Sequence, residues 1–302
     1  MSIPSIEERI ADLKRRRHAV ILVHNYQRGE VQDIGDFVGD SLELSQKAAA
    51  SRADVIVFCG VFFMAETAKI LSPEATVLMP DPNAGCPMAN MVTPRELLRA
   101  KEQHAKAFVV CYVNSSAQVK AMSDICCTSA NAVKVVNSVP KDRPILFIPD
   151  RNLGAYVQEM TGRELILWEG YCPTHQRILD EHILKLKTEH PRAKVVVHPE
   201  CTSAVIAVAD EVASTSGILR YCRESTAGEF IIGTEIGIVH RLKKENPGKV
   251  FYQVSALADC PNMKLTTLEK VLWSLEDMVY EVTVPADVAE GARRAINRML
   301  EL

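Results

Sequence analysis

Three stretches of this 302-residue chain read alike: Val20-Ile-Leu-Val23 runs into His24-Asn25-Tyr26, Phe108-Val-Val-Cys111 into Tyr112-Val113-Asn114, and Val195-Val-Val197 into His198-Pro199-Glu200. Each is an apolar, β-branched run that ends in hydrogen-bonding side chains, the pattern of a strand buried on both faces whose C-terminal end opens onto a polar edge. Outward from these runs the same landmarks recur. Cys86-Pro87, Cys172-Pro173 and Cys260-Pro261 follow His24, Tyr112 and His198 by 62, 60 and 62 residues, and a hydroxyl (Ser41, Ser129, Thr215) stands 17 residues beyond each of the three. Nine Cys and 15 Pro give by chance about half of one Cys-Pro pair, and the three cysteines are spaced 86 and 88 residues apart. The chain is therefore read as three copies of one unit.

Within each unit, strand-like runs alternate with helical patterns in the same succession. In the first they are 20–24, 37–40, 54–59 and 76–79 for strands, with helices near 30–36, 41–50 and 64–71. Such alternation predicts parallel strands joined by crossovers, with every strand C-terminus on one edge, where ligands collect. The expected fold class is α/β: three homologous αβα sandwich domains, each with a four-stranded parallel sheet, around a pseudo-threefold axis. The expected division is an N-terminal helix in 1–17, repeats in 18–100, 101–188 and 189–280, and a C-terminal helix in 281–302. Charge rises near Pro94–Lys106 and Lys187–Lys194, where linkers are expected.

Composition narrows the function classes. With 38 acidic against 35 basic residues the net charge is −3, which gives no footprint for nucleic acid or an anionic membrane. The longest apolar stretch, Val55–Ala65, contains Gly60 and is too short to span a bilayer. The charged start of the chain lacks the pattern of a secretory signal, so a cytoplasmic protein is expected, and nine cysteines then read as thiols for packing, metal or catalysis rather than a disulfide framework.

The repeat divides those thiols. Cys59, Cys111, Cys126, Cys127, Cys201 and Cys222 fall in or beside predicted elements and read as small core residues. Cys86, Cys172 and Cys260 each follow the last strand of a unit, in a proline-stiffened loop suited to presenting a ligand. About a threefold axis they would bring three thiolates to one point, which suits a catalytic zinc or a 4Fe–4S cluster with one open iron, and the residues alone do not choose between them. Ser41, Ser129 and Thr215 read as helix caps that also face the shared edge, where helix N-termini favour carboxylate or phosphate. His24, Tyr26, Tyr112, Asn114, His198 and Glu200 leave the first strands toward that edge, and His175 lies three residues past Cys172. Acid/base groups, neutral donors and a metal together suit enolisation and dehydration of a small polyanion.

At these residues the chain resembles the quinolinate synthase family, from about residue 18 to 280. The motifs are His24-Asn-Tyr26, Gly39-Asp-Ser-Leu42, Gly85-Cys-Pro-Met88, Tyr112-Val-Asn-Ser115, Cys127-Thr-Ser-Ala-Asn131, Gly170-Tyr-Cys-Pro-Thr-His175, His198-Pro-Glu-Cys201 and Cys260-Pro-Asn-Met263. The resemblance implies a 4Fe–4S cluster held by Cys86, Cys172 and Cys260. The implied reaction condenses iminoaspartate with dihydroxyacetone phosphate to quinolinate in de novo NAD synthesis, with a functional link to the enzyme that supplies iminoaspartate. It implies substrate contacts from His24, Ser41, Tyr112, Asn114, Ser129, His175, His198, Glu200 and Thr215, with catalytic roles for Tyr26, His198 and Glu200. Some members carry a Cys-x-x-Cys-x-x-Cys run at the third ligand. Here Asn262 and Met263 follow Pro261 with no further Cys, so redox control through a local disulfide is not expected. A zinc hydrolase acting on a dicarboxylate and a non-enzymatic iron–sulfur sensor are the rival readings, and metal analysis with an absorption spectrum separates them.

Overall fold

A computed structural model describes residues 4–302. Helix α1 (Ile6–Arg16), closed at its start by a reciprocal Ser5/Glu8 capping box, leads into the first unit. This unit comprises β1 (Ala19–His24), α2 (Gly29–Asp33), β2 (Phe37–Gly39), α3 (Ser41–Ala50), β3 (Val55–Cys59), α4 (Phe62–Leu71) and β4 (Thr76–Leu78). Helix α5 (Pro94–Gln103) precedes the second: β5 (Phe108–Tyr112), α6 (Ala117–Ala121), β6 (Ile125–Cys127), α7 (Ala132–Ser138), β7 (Ile145–Ile148), α8 (Arg151–Thr161) and β8 (Ile166–Leu167). Helix α9 (Asp180–Glu189) precedes the third: β9 (Lys194–Val197), α10 (Ser203–Ala207), β10 (Glu211–Val212), α11 (Thr215–Glu224), β11 (Glu229–Gly233), α12 (Ile238–Glu245) and β12 (Val250–Gln253). The chain ends in α13 (Leu268–Asp277) and α14 (Ala286–Leu300).

The three sheets have one topology, β2-β1-β3-β4, β6-β5-β7-β8 and β10-β9-β11-β12, and every named strand pair is parallel. They form the expected three αβα domains. Central strands such as β3 and β7 are buried along their whole length, so side chains of both faces are apolar and helices cover both. In each sheet the order reverses between the first and third strands, which opens a crevice at their C-terminal ends. His24, Tyr112 and His198 follow or end those first strands.

Two expectations fail. The charged segment read as a linker at 94–106 is helix α5 for ten residues: Thr93 and Glu96 form a capping box around Pro94 at the first helical turn, and Leu97 is buried. The segment 187–194 likewise contains the end of α9 and the start of β9. Residues 190–193 are a turn, so that linker is shorter than expected, whereas at 94–103 charge marked the solvent face of an amphipathic helix. These helices also complete the repeat. After each Cys-Pro comes one 3₁₀ turn (Met88–Met91, His175–Arg177, Met263–Leu265) and then a helix, α5, α9 or α13, that starts eight residues beyond the cysteine.

Each of these helices packs against the unit that comes next. Helix α5 meets α6 of the second unit and α9 meets β11 of the third. Helix α13 returns to the first, where Val271, Leu272 and Leu275 share a core with Ile10 of α1 and with Ile21, Val23 and Val57. The units thus form a closed ring. Helix α14 seals the first and second units from outside, against α4, α6 and β6, and Gly291 is in contact with Ala121. Among the described residues no helix is long and apolar enough to cross a membrane.

Candidate active site

A cavity of about 170 Å³ lies where the C-terminal edges of the three sheets meet, and all thirteen residues singled out from the sequence line it: His24, Tyr26, Ser41, Cys86, Tyr112, Asn114, Ser129, Cys172, His175, His198, Glu200, Thr215 and Cys260.

The first-strand ends share one local device. The Tyr26 backbone N–H donates to His24 Nδ1 at 3.2 Å, and the Glu200 N–H donates to His198 Nδ1 at the same distance. An Nδ1 that accepts leaves the ring proton on Nε2, pointing away from the backbone. Burial holds both imidazoles down to about 3, against the pull of Glu200 in the other direction, so at neutral pH both are uncharged donors. His198 Nε2 is 3.1 Å from Ser129 Oγ of the second unit.

Glu200, buried, sits at the junction. Its Oε1 accepts from the Tyr112 hydroxyl at 2.5 Å, and its Oε2 is 2.7 Å from His175 Nδ1. Burial raises its carboxyl, but His175, His198 and the Tyr112 hydroxyl outweigh that and draw it to about 2, so it stays a carboxylate. Tyr26 is the counterpart. Burial and then the Glu200 charge push its phenol well above the usual range, and its hydroxyl is 2.5 Å from Thr234 Oγ1 and 3.5 Å from His175 Nε2. Burial and then the Glu200 charge raise Tyr112 likewise, so the site holds two protonated phenols beside one carboxylate, the protonation states from which a general acid and a general base start. Tyr26 meets Glu200 through His175, and Tyr112 bonds it directly.

The hydroxyls are placed differently from the expectation. Ser41, Ser129 and Thr215 do not cap their helices. In the first and third units the residue before does: Asp40 accepts from Leu42 and Glu43 N–H and Ser214 from Gly217 N–H, whereas in the second unit Thr128 accepts from Ala130 N–H in a turn ahead of α7, which has no side-chain cap. A side chain at the first helical position points outward rather than back to the helix N–H groups, which leaves Ser41 and Thr215 facing the cavity. Asn25 Nδ2 donates to Thr215 Oγ1 at 2.9 Å, across two units. Asn114 Oδ1 is buried without a hydrogen-bond partner, an acceptor aimed into the site that a ligand N–H or O–H would satisfy.

The cysteines divide as expected. Cys59, Cys111, Cys126, Cys127, Cys201 and Cys222 are buried, all within hydrophobic clusters, whereas Cys86, Cys172 and Cys260 are half-buried and line the cavity. Burial, and to a lesser degree neighbouring thiols and Glu200, push the Cys86 thiol up to about 12, and Cys172 is raised well above its usual range for the same reasons. Three such thiols would ionise only beside a cation, which is the chemistry of a soft-metal site. The tightest group of metal-ligating atoms among the described residues is Cys172, His175 and Glu200, within 4.8 Å of one another. Cys86, Cys172 and Cys260, three half-buried thiols round one cavity, are a soft donor set of the kind an iron–sulfur cluster takes.

Sequence reasoning missed Thr234 and Glu235 at the end of β11. Thr234 hydrogen-bonds Tyr26 and His175, and Glu235 lines the cavity. The signal was present, since Pro149-Asp150 holds the same register position at the end of β7.

Fold and cavity define a three-domain α/β protein with one shared polar site bearing three thiols. A family model described as "Quinolinate synthetase A protein" matches residues 8–301. Among curated relatives, "Quinolinate synthase" of Dehalococcoides mccartyi (strain CBDB1) is 57% identical over 297 residues, covering 98% of each chain. That of Methanosarcina barkeri (strain Fusaro) is 57% identical over 293 residues, 97% of this chain and 96% of the relative, and that of Geobacter metallireducens is 55% identical over 302 residues, 100% and 99%. The chain belongs to the quinolinate synthetase A family and is an enzyme.

Proposed function

We propose that this enzyme condenses iminoaspartate with dihydroxyacetone phosphate to quinolinate, with release of phosphate and two waters, in the synthesis of the pyridine ring of NAD. The balance is redox-neutral: four carbons and the nitrogen come from the imine, three carbons from the triose. The observation that carries the reading is the convergence, in one cavity, of three half-buried thiols with a protonated phenol and an ionised carboxylate joined through His175.

Cys86, Cys172 and Cys260 would hold a 4Fe–4S cluster, which would supply a Lewis-acidic iron for departure of a hydroxyl. The protein's own groups do the rest. His24 and His198, uncharged, offer Nε2–H to substrate carboxylate or carbonyl oxygens without adding charge. Ser41 and Thr215, at the starts of the ten-residue helices α3 and α11, offer hydroxyls where helix N-termini favour carboxylate and phosphate. Glu200 takes a carbon-bound proton during keto–aldo isomerisation, and Tyr112 holds that carboxylate in place. Tyr26, kept protonated, delivers a proton to leaving oxygen, with His175 and Thr234 fixing its hydroxyl.

Anaerobic purification, iron and sulfide analysis and an absorption spectrum, followed by chromatographic assay of quinolinate from the two substrates, test the proposal. A brown protein with about four iron per chain that forms quinolinate with matching phosphate release is expected. A colourless protein carrying one zinc, bound through Cys172, His175 and Glu200, would overturn it in favour of a hydrolase.

A further inference from the structure

The strand-to-helix turn after the third strand of each unit faces the loop that carries the cysteine. One backbone hydrogen bond repeats there: Phe62 N–H to Ala84 O at 2.8 Å, Arg151 N–H to Gly170 O at 2.8 Å, and Ile236 N–H to Ala258 O at 3.0 Å. Each acceptor lies two residues before the cysteine. The residue preceding each donor is Val61, Asp150 or Glu235, three equivalent positions by strand register. Two of the three are fully buried carboxyl groups.

Glu235 is wholly engaged. Its Oε1 accepts from the Cys260 N–H at 3.0 Å and from Lys264 Nζ at 2.8 Å, and its Oε2 accepts from the Gly237 N–H at 2.7 Å. Lys264 in turn donates to the backbone oxygen of Tyr26. One carboxylate thereby ties the third cysteine loop to its own turn and, through Lys264, to the first unit. Asp150 Oδ1 accepts from the Leu153 N–H at 2.8 Å, its Oδ2 is buried without a hydrogen-bond partner, and burial and then the Glu200 charge raise its carboxyl well above the usual range, so the second cysteine loop is tied to its turn through the backbone alone. In the first unit Val61 offers no acceptor. There the tie comes from another unit: Asn262, two residues past Cys260, donates its Nδ2–H to Gly85 O at 2.8 Å, on the residue just before Cys86.

We propose that Glu235 and Asn262 are positioning residues that hold Cys260 and Cys86 in the conformation that binds the cluster. The division of labour is uneven. The second and third loops are braced from within their own units, and the first is braced across the ring by the third, so the Cys86 loop depends on the Cys260 loop. A side chain bonded to the backbone next to a ligand constrains that ligand without touching the metal.

This inference rests on the reading of Cys86, Cys172 and Cys260 as ligands, and its test separates the two. The full-length chain and its variants Asn262→Leu and Glu235→Gln are reconstituted anaerobically with iron and sulfide. They are then challenged with an iron chelator and iodoacetamide together, and alkylation is mapped at each cysteine by mass spectrometry. The same mapping is repeated on metal-free chains. Each variant is expected to release iron at least tenfold faster than the parent, with a different thiol labelled first: Cys86 in Asn262→Leu, Cys260 in Glu235→Gln. Asn262→Gln, which keeps the donor, is expected to restore much of the lost retention. Release rates within twofold of the parent, or labelling that rises together at all nine cysteines as in general unfolding, would overturn the proposal. A parent that takes up no iron but in whose metal-free variants the labelling order shifts loop by loop would refute the cluster reading and leave the bracing intact.

Discussion

Replacing Tyr26 by Phe removes one oxygen from the centre of the site and leaves its shape. The stability cost is small by inspection of the partners. Thr234 Oγ1 loses its 2.5 Å contact with the phenol but keeps His175 Nε2 at 2.8 Å, so no buried group is orphaned. One net hydrogen bond is worth about 1 kcal/mol, a shift of a few degrees in melting temperature for a chain of this size. The catalytic cost is much larger. A positioned general acid contributes about 10²–10⁴ in rate, equivalent to about 3–5 kcal/mol of barrier, and Tyr112, the other phenol that burial keeps protonated in the cavity, is already committed to Glu200. The expected outcome is a variant with full iron content, an unchanged spectrum, a melting temperature within a few degrees of the parent, and turnover to quinolinate reduced at least 100-fold with KM little changed. Anaerobic chromatography of quinolinate alongside iron analysis reads both. Turnover within fivefold of the parent at full cluster occupancy would remove Tyr26 from proton transfer.

Serine at Cys86, Cys172 or Cys260 should abolish the brown chromophore, while Ala at Cys59, Cys126 or Cys222 should keep it, and a retained chromophore in any of the first three would break the ligand assignment. His24 and His198 have folded pKa values of about 3, below the ordinary imidazole value of 6.5, so the unfolded state binds the extra protons. Stability of the metal-free chain is therefore full above about pH 6.5 and falls below it, by up to about 1.4 kcal/mol per pH unit for each histidine; urea midpoints of His24→Gln should show a shallower acid slope, and an unchanged slope would contradict the buried neutral ring. Gly291→Val places a Cβ about 2.9 Å from Ala121 Cβ and 3.0 Å from Ala121 O, which should cost about 1–3 kcal/mol and lower the melting temperature, with partial recovery on adding Ala121→Gly. A variant as stable as the parent would show that α14 shifts freely over α6.

Periodic features were legible in the sequence, and features that depend on one unit meeting another were not. The apolar runs before His24, Tyr112 and His198 and the three Cys-Pro pairs predicted the sheets and the residues that would share a cavity, because strand C-termini on one edge leave few alternatives. Helix α5 was hidden by its charge, since Leu97 is its one buried residue and the apolar stripe is too thin to outweigh Arg95, Glu96, Arg99 and Lys101. Capping was misread by one residue: Asp40 and Ser214 were as visible as Ser41 and Thr215, but the choice between adjacent side chains is made by backbone angles that composition does not report. Thr234 was missed because its partners, Tyr26 and His175, come from other units, and Glu235 because only the folding of the third cysteine loop brings the Cys260 N–H to it.

The return of α13 to the first unit sets a number. Open repeat arrays can gain or lose units and need special ends to stay soluble. A chain whose last helix completes its first sheet has no such freedom, and its copy count is fixed at three. With one cavity-facing thiol per unit, such a ring offers three thiols and no fourth. Were a four-iron cluster held there, closure alone would leave it one iron without a thiolate.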